Sequence, residues 1–373
     1  MDKTIKDLDI FISDGNYSSK YPRSEEFVDD GIPFIRANNL VDGSVIDEDM
    51  YFITPEKHSV LLKGHVKSGD VLITTRGNIG QVAIVPDKHE GSNINAQIVL
   101  LRTKEEKLYN RYLLWALQSK SSNDQYLALQ TGTALKQLPV GKLEQLRIKV
   151  IDIEEQHMVA NKLDKVHSLI KRRREELKLL DELIKARFVE LFGEYFKDHI
   201  NEKELDEVCD FIDYRGKTPE KSDEGIPLIT AKNVKDNKFF IDPQEFIPEE
   251  NYDDVMTRGI PRVNDVLFTT EAPLGNVCRI PDVYEKFCVG QRLITMQPHE
   301  DVLNSEYLEY ALASPEFQDK MWQKSSGSTV KGIRSKLLVL LTIPVPPMAI
   351  QEEFKNFLHQ VDKSKVVKEM RNK

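Results

Sequence analysis

The strongest constraint in this sequence is that it says nearly the same thing twice. Gly31–Leu40 reads GIPFIRANNL and Gly225–Val234 reads GIPLITAKNV, with six of ten positions identical. Asp70–Thr75 (DVLITT) returns as Asp265–Thr270 (DVLFTT). Gly80, Pro86, Gln97, Tyr112, Gly132, Lys136 and Gln156 then match Gly275, Pro281, Gln291, Tyr307, Gly327, Lys331 and Gln351 in the same order. The offset stays at 194 or 195 residues throughout. Chance does not preserve order and spacing over so many blocks, and a period this long exceeds any solenoid repeat. The chain is a tandem duplication of a domain-sized unit, which suits its 373 residues.

Each unit opens with a mixed α/β pattern. Short runs rich in β-branched residues, Val71–Thr75, Gln97–Leu101, Val266–Thr270 and Arg292–Met296, alternate with turn residues and read as strands. Tyr109–Gln118 and Ser305–Ala313 read as helices packed on them, and Gln145–Ile151 and Leu340–Val345 as closing strands. The period then changes. Between Glu154 and Phe192 there is neither Pro nor Gly, and Val159, Leu163, Val166, Ile170, Leu177, Leu180, Ile184 and Leu191 recur in steps of three and four, interrupted at Arg173 and Arg187. This spacing predicts a long helix with a coiled-coil-like seam, ending near Gly193 and spanning roughly 58 Å. A matching helix after Pro347 carries Phe354, Leu358 and Val361 on its seam and is about one third shorter. The expected segments are therefore 1–152, 153–193, 194–347 and 348–373.

Several function classes drop out. No window approaches eighteen apolar residues, so no membrane-spanning helix is expected, and the N-terminal residues lack the apolar stretch of a signal peptide. Three cysteines without a CxxC pair predict neither a disulfide scaffold nor a cysteine-built zinc site, and suit the reducing cytoplasm. There is no GxxxxGK[ST] loop, no GxGxxG and no aminomethylation motif of the [DN]PPY type, so no cofactor is expected. Pro86-Asp87 and Pro281-Asp282 lack the following acidic-x-Lys of a nuclease and read as turns. The histidines are scattered without metal-ligand spacing. A formal charge of −9 argues against overall attraction to nucleic acid. The charge is uneven: residues 1–150 carry 19 basic and 20 acidic groups, residues 196–348 carry 18 and 27. Binding to DNA would have to come from a local surface.

Two kinds of segment offer one. The repeated polar loops at Thr131–Gln137 and Ser326–Gly332 combine glycine, hydroxyls and a lysine, a composition suited to phosphate contacts and equally to a simple turn. The strand ends pair Thr74, Thr75, Arg76 and Asn78 with Thr269, Thr270 and Glu271. Arg and Asn can read guanine and adenine edges, and Glu can accept from cytosine. The change from Arg76 to Glu271 fits two readers of different sequences; it fits surface drift as well. Lys171–Arg174 is the densest basic run; with Glu175 and Glu176 directly after it, it fits a solvated helix face, and it fits a contact to nucleic acid or a partner subunit as well.

With Asp213–Pro219 (DYRGKTP) and Pro344-x-Pro346-Pro347-x-x-x-Gln351 opening a helix, these motifs resemble the specificity subunit of type I restriction-modification enzymes over essentially the whole chain. The resemblance implies two duplicated α+β target recognition domains joined by long antiparallel coiled-coil helices, each domain reading half of a bipartite, asymmetric site in double-stranded DNA. It implies a non-catalytic protein that directs adenine methylation and restriction by two methyltransferase subunits and the motor-nuclease subunits. The DNA contacts it nominates are Arg36, Asn38, Thr74, Arg76, Asn78, Gln97, Thr133 and Lys136 in the first half. In the second they are Arg215, Lys217, Thr230, Lys232, Thr270, Glu271, Gln291, Arg292, Ser328 and Lys331. Val159, Leu163, Val166, Ile170, Phe354, Leu358 and Val361 are nominated to bind the partner subunits. The competing reading is a non-enzymatic adaptor, two protein- or glycan-binding domains on a coiled-coil stalk, which the acidic second half favours.

Overall fold

The computed structural model describes residues 2–17, 20–133, 135–214, 216, 219–327 and 330–370, with side chains through Ser364. The nominated contacts Arg215, Lys217 and Ser328 lie outside the described residues. The chain divides into two units, residues 1–173 and 174–373.

In the first unit, strands β1 (Phe11–Asp14), β2 (Val71–Thr74), β3 (Val82–Ile84) and β4 (Ile98–Arg102) form the body of one sheet in the order β1-β4-β2-β3. Successive side chains of a strand point to opposite faces, and here both faces are covered. Val71, Ile73, Val99 and Leu101 pack against helix α1 (Asn110–Gln118) and helix α2 (Lys120–Leu129). Leu72, Ile98 and Leu100 face a second core that includes Ile35 and Ile94. Two-sided burial explains why β2 is apolar without alternation. The residues Arg147–Lys149 do not join this sheet; they pair with Asp2–Thr4. Helix α2 follows Ser119, whose hydroxyl accepts from the Ser122 N–H; the sequence reading had no element there.

Helix α3 (Ile153–Lys197) starts where the Asp152 carboxylate accepts from the Glu155 N–H at 3.0 Å. It runs past the expected end at Gly193. Phe188, Phe192 and Phe196 are buried one turn apart, and burying each contributes about 1.5–3 kcal/mol. A glycine within a helix costs only about 0.5–1 kcal/mol, so the aromatic row carries the helix through.

The second unit repeats the architecture with β5 (Cys209–Asp213), β6 (Val266–Thr269), β7 (Val277–Arg279) and β8 (Leu293–Pro298) in the order β5-β8-β6-β7. Helices α4 (Ser305–Ala313) and α5 (Pro315–Lys324) cover one face, and α6 (Met348–Met370) packs on the aromatic row of α3. Arg187 of α3 pairs with Glu353 of α6, and the Phe188 ring packs edge-on against Phe354 at 5.5 Å. Arg187, expected to interrupt the seam, thus bridges the two helices and also holds Glu190 at 2.7 Å.

A buried glutamine locks each domain to its helix. Gln156 accepts from the Tyr109 N–H at 2.9 Å and donates to the carbonyls of Lys107 and Ile151 at 3.3 and 2.8 Å. Gln351 accepts from the Asn304 N–H at 3.0 Å and donates to Val302 and Pro346 at 3.0 and 2.7 Å. Every partner is displaced by the same 195 residues. Stranding a buried donor or acceptor costs about 1–3 kcal/mol. Gln156→Ala and Gln351→Ala should each therefore lower stability by at least about that much, to a similar extent, in urea unfolding.

Glu202 joins the paired strands Glu202–Glu204 and Thr342–Pro344 to α5. Burial raises its carboxyl, but hydrogen bonds from His199, Lys320 and Thr342 outweigh that and hold it at about 2, against an ordinary 4.5. A depressed carboxyl stabilises the fold above its unfolded value and loses that contribution as pH falls towards the folded value. The stability difference between the parent chain and Glu202→Gln should be full above pH 5 and shrink steadily towards pH 2, as read by thermal unfolding at each pH.

Candidate nucleic-acid interface

The polar strand ends sit on a backbone clasp that is built identically in both units. After β2, the N–H and hydroxyl of buried Thr75 both donate to the Gln97 carbonyl, at 2.7 and 3.2 Å. After β6, Thr270 does the same to the Arg292 carbonyl, at 3.1 and 3.3 Å. The Thr75 carbonyl then accepts from the Leu138 N–H at 2.8 Å, and that of Thr270 from the Ile333 N–H at 3.1 Å. This pins the two polar loops beside the strand ends. Thr131 and Gln137 exchange backbone bonds at 2.8 and 2.9 Å, as Ser326 and Gly332 do at 2.9 Å each.

The glycines of these loops have a conformational reason to recur. Gly132 and Gly327 adopt φ of +89° and +113°, and a Cβ there would stand 2.3 and 2.0 Å from the carbonyl oxygens of Leu135 and Val330. Closing the loop demands glycine, so glycine is no sign of phosphate binding. The lysines are different. Lys136 and Lys331 are exposed at the loop ends, and neither has a carboxylate partner among the described residues.

The clasp also corrects the pairing of the two halves. Ile98 lies opposite Thr74 and Leu293 opposite Thr269. Gln97 is thus equivalent to Arg292, not to Gln291, and Arg76 to Glu271. The strand-end pair is Arg76 and Gln97 in one unit and Glu271 and Arg292 in the other. In the second, the Arg292 guanidinium lies 3.2 Å from the Glu271 carboxylate, both exposed. Gln291 and Gly216 line the same shallow hollow. In the first unit, Arg76 lies over the Tyr17 ring, and the Gln97 amide oxygen accepts from Asn95 at 3.1 Å.

Other nominated residues divide between surface and scaffold. Asn38, Asn78 and Thr133 are exposed. Thr74 and Thr270 are buried, at 0% and 2% exposure, and cannot reach a ligand. The Thr74 hydroxyl donates to the Asn78 carbonyl and accepts from the Gln81 N–H, closing the turn after β2. Both threonines are corrected from contacts to scaffold: the Thr74 hydroxyl serves its own turn and that of Thr270 the Arg292 carbonyl, as strand-end hydroxyls do as readily as they meet a ligand. Arg36 is half-buried, donates to the Asp49 carbonyl and stacks 3.4 Å over Tyr51. Thr230 donates to Asn233 at 3.2 Å, and Lys232 pairs with Glu245 at 2.7 Å. Tyr214 of the DYRGKTP motif is a core residue whose hydroxyl donates to the Gly259 carbonyl. Tyr17 was missed because it lies outside every repeated block.

The nominated seam splits in the same way. Phe354, Leu358 and Val361 are buried against the chain's own Ile184, Phe188 and Phe192, which removes them as a docking surface. Val159 leans on the first unit's core. Leu163, Val166 and Ile170 stay on the surface, at 39%, 52% and 45% exposure. Among the described residues, no group of three His, Cys, Asp or Glu could hold a metal ion, and no helix is long and apolar enough to cross a membrane. All three cysteines are free and buried; burial pushes the Cys288 thiol up to about 12.

Comparison with known proteins places this geometry. Two proteins described as type I restriction enzyme specificity subunits, MjaX and MjaVIII of Methanocaldococcus jannaschii, are each 24% identical to this chain. The alignments cover 89% and 85% of it and 80% and 81% of theirs. The crystal structure of a type I restriction-modification S subunit from M. genitalium shares the fold, with a TM-score of 0.60 at 17% identity over 100% of this chain and 91% of that one. A chain from a structural study of type I complex assembly and conformational transition gives 0.50 at 19% identity over 98% and 91%. The type I restriction modification DNA specificity domain matches twice, at residues 4–179 and 197–373. Two matches that cover nearly the whole chain, one on each clasped unit, make it a member of the type I restriction-modification specificity subunit family.

Proposed function

We propose that each unit reads one half of a bipartite DNA site through its clasped strand end, and that the chain directs methylation and restriction carried out by partner subunits in the cytoplasm. The observation that carries this reading is chemical contrast on a common backbone. The same hydrogen bonds position Arg76 and Gln97 in one unit and Glu271 and Arg292 in the other. A scaffold held constant under side chains of different donor and acceptor character is what two readers of different sequences require. The first unit's base contacts are Arg76, Asn78 and Gln97, and the second's are Glu271, Gln291 and Arg292. Lys136 and Lys331 contact phosphate. Two methyltransferase subunits dock on the exposed apolar stretch of α3 at Leu163, Val166 and Ile170, and the motor-nuclease subunits join through them.

Methylation mapping in cells that carry each variant with its partner subunits tests the division. Arg76→Ala or Asn78→Ala should alter only one half of the methylated sequence, and Glu271→Ala or Arg292→Ala only the other. A single substitution that changes both halves would overturn the two-reader assignment.

The loop lysines call for a different measurement. Lys136→Ala or Lys331→Ala should weaken binding to all duplexes alike and reduce the salt dependence by about one unit. Titrations at several salt concentrations, with the assembled complex, report that slope. Unchanged slopes would return both lysines to the solvent.

A further inference from the structure

The first unit carries an aromatic platform under its strand-end arginine. The Arg76 guanidinium carbon lies 4.1 Å from the centroid of the Tyr17 ring, and Tyr17 is 50% exposed, a surface ring and not a core one. The backbone delivers it there. After β1 the Gly15 N–H bonds to the Ile98 carbonyl at 3.2 Å. Gly15 passes so close to Asn95 that a Cβ would stand 2.1 Å from its carbonyl oxygen. Glycine alone fits this passage, and two residues later the chain lays Tyr17 against Arg76.

Stacking constrains the guanidinium plane while leaving its N–H groups free. Among the described residues Arg76 has no carboxylate partner and its guanidinium donates no hydrogen bond. A planar fork held on a ring face, with its donors outward, matches the paired acceptors O6 and N7 of guanine. Among the described residues the second unit shows no such stack. Its residue after β5 is Tyr214, which is buried, and its strand-end arginine is tied to Glu271.

We propose that Tyr17 is a positioning residue for base readout, holding Arg76 edge-on to a guanine in the first half of the DNA site. This rests on the reading of Arg76 as a base contact. The test uses the full chain assembled with its methyltransferase partner and a pool of duplexes randomised across the site, selected by binding and sequenced. Arg76→Ala should lose roughly tenfold preference at one guanine, as expected for a bidentate contact. Tyr17→Ala and Tyr17→Leu should lose roughly two- to fivefold at that same position, the worth of an exposed cation–π contact. Tyr17→Phe, which keeps the ring face, should retain the preference. The second half of the site and the salt dependence should stay unchanged in all four.

The failures are separable. If Arg76→Ala changes no position, the base-contact reading falls. If it relaxes a position while the Tyr17 variants do not, the platform alone is overturned. Relaxation at a base other than guanine overturns the guanine assignment. Should Tyr17→Ala fail to fold, the Leu and Phe variants decide, and equal preference in the two overturns the platform.

Discussion

A buried primary amide with all its partners on the backbone holds each unit to its helix. Gln156 and Gln351, both fully buried, close three hydrogen bonds apiece, two to the loop ahead of α1 or α4 and one to the segment just before their own helix. An amide offers one acceptor and two donors within a single rigid plane. Satisfying all of them fixes the helix's position as well as its attachment, because a small shift strands a buried group. In the first unit a surface-side network adds to this: Asp164 accepts from Arg111 and from the Trp115 indole, at 2.9 and 2.8 Å. In each unit the α/β domain is therefore tied to the first turn of the helix that follows it.

Within each unit, the division of labour runs between backbone and side chain. The hydrogen bonds of the clasp at Thr75 or Thr270 and those that close the following loop are made within the chain, and the glycine permits that closure. Side chains that project from the clasp, Arg76, Gln97 and Lys136 or Glu271, Arg292 and Lys331, can change without disturbing it. A strand end that must present different chemistry in two copies is best built this way, since buried hydrogen bonds tolerate little change and exposed side chains tolerate much.

The two surfaces differ in charge as well as in residue type. The first presents a guanidinium with no carboxylate partner among the described residues, and an amide; the second presents an ion pair whose charges offset each other. The wider balance follows the same direction, with residues 196–348 carrying 27 acidic against 18 basic groups. A neutral or acidic reader gains little from phosphate attraction and depends on directed contacts and on the rest of the assembly. In the second unit Lys232 and Lys221 are likewise drawn onto Glu245, at 2.7 and 2.8 Å.

The duplication, the mixed α/β class, the long helix and the family were all legible in the sequence, because each is a pattern of residue types at fixed spacing. So were the polar strand ends and the loop lysines, as candidates. Which candidates face outward was not legible. Thr74 and Thr270 resemble Asn78 on paper, yet the Thr74 hydroxyl closes its own turn and that of Thr270 donates to the Arg292 carbonyl. Phe354, Leu358 and Val361 form as good a seam as Leu163, Val166 and Ile170, and only packing buries one set and leaves the other exposed. The one-residue slip that equates Gln97 with Arg292 is decided by strand register, which hydrogen bonding sets across the sheet. Tyr17 meets Arg76 through a contact between segments about 60 residues apart. Local pattern fixes what an element is; burial, register and long-range approach are properties of the folded chain, and they decide which atoms remain free to bind.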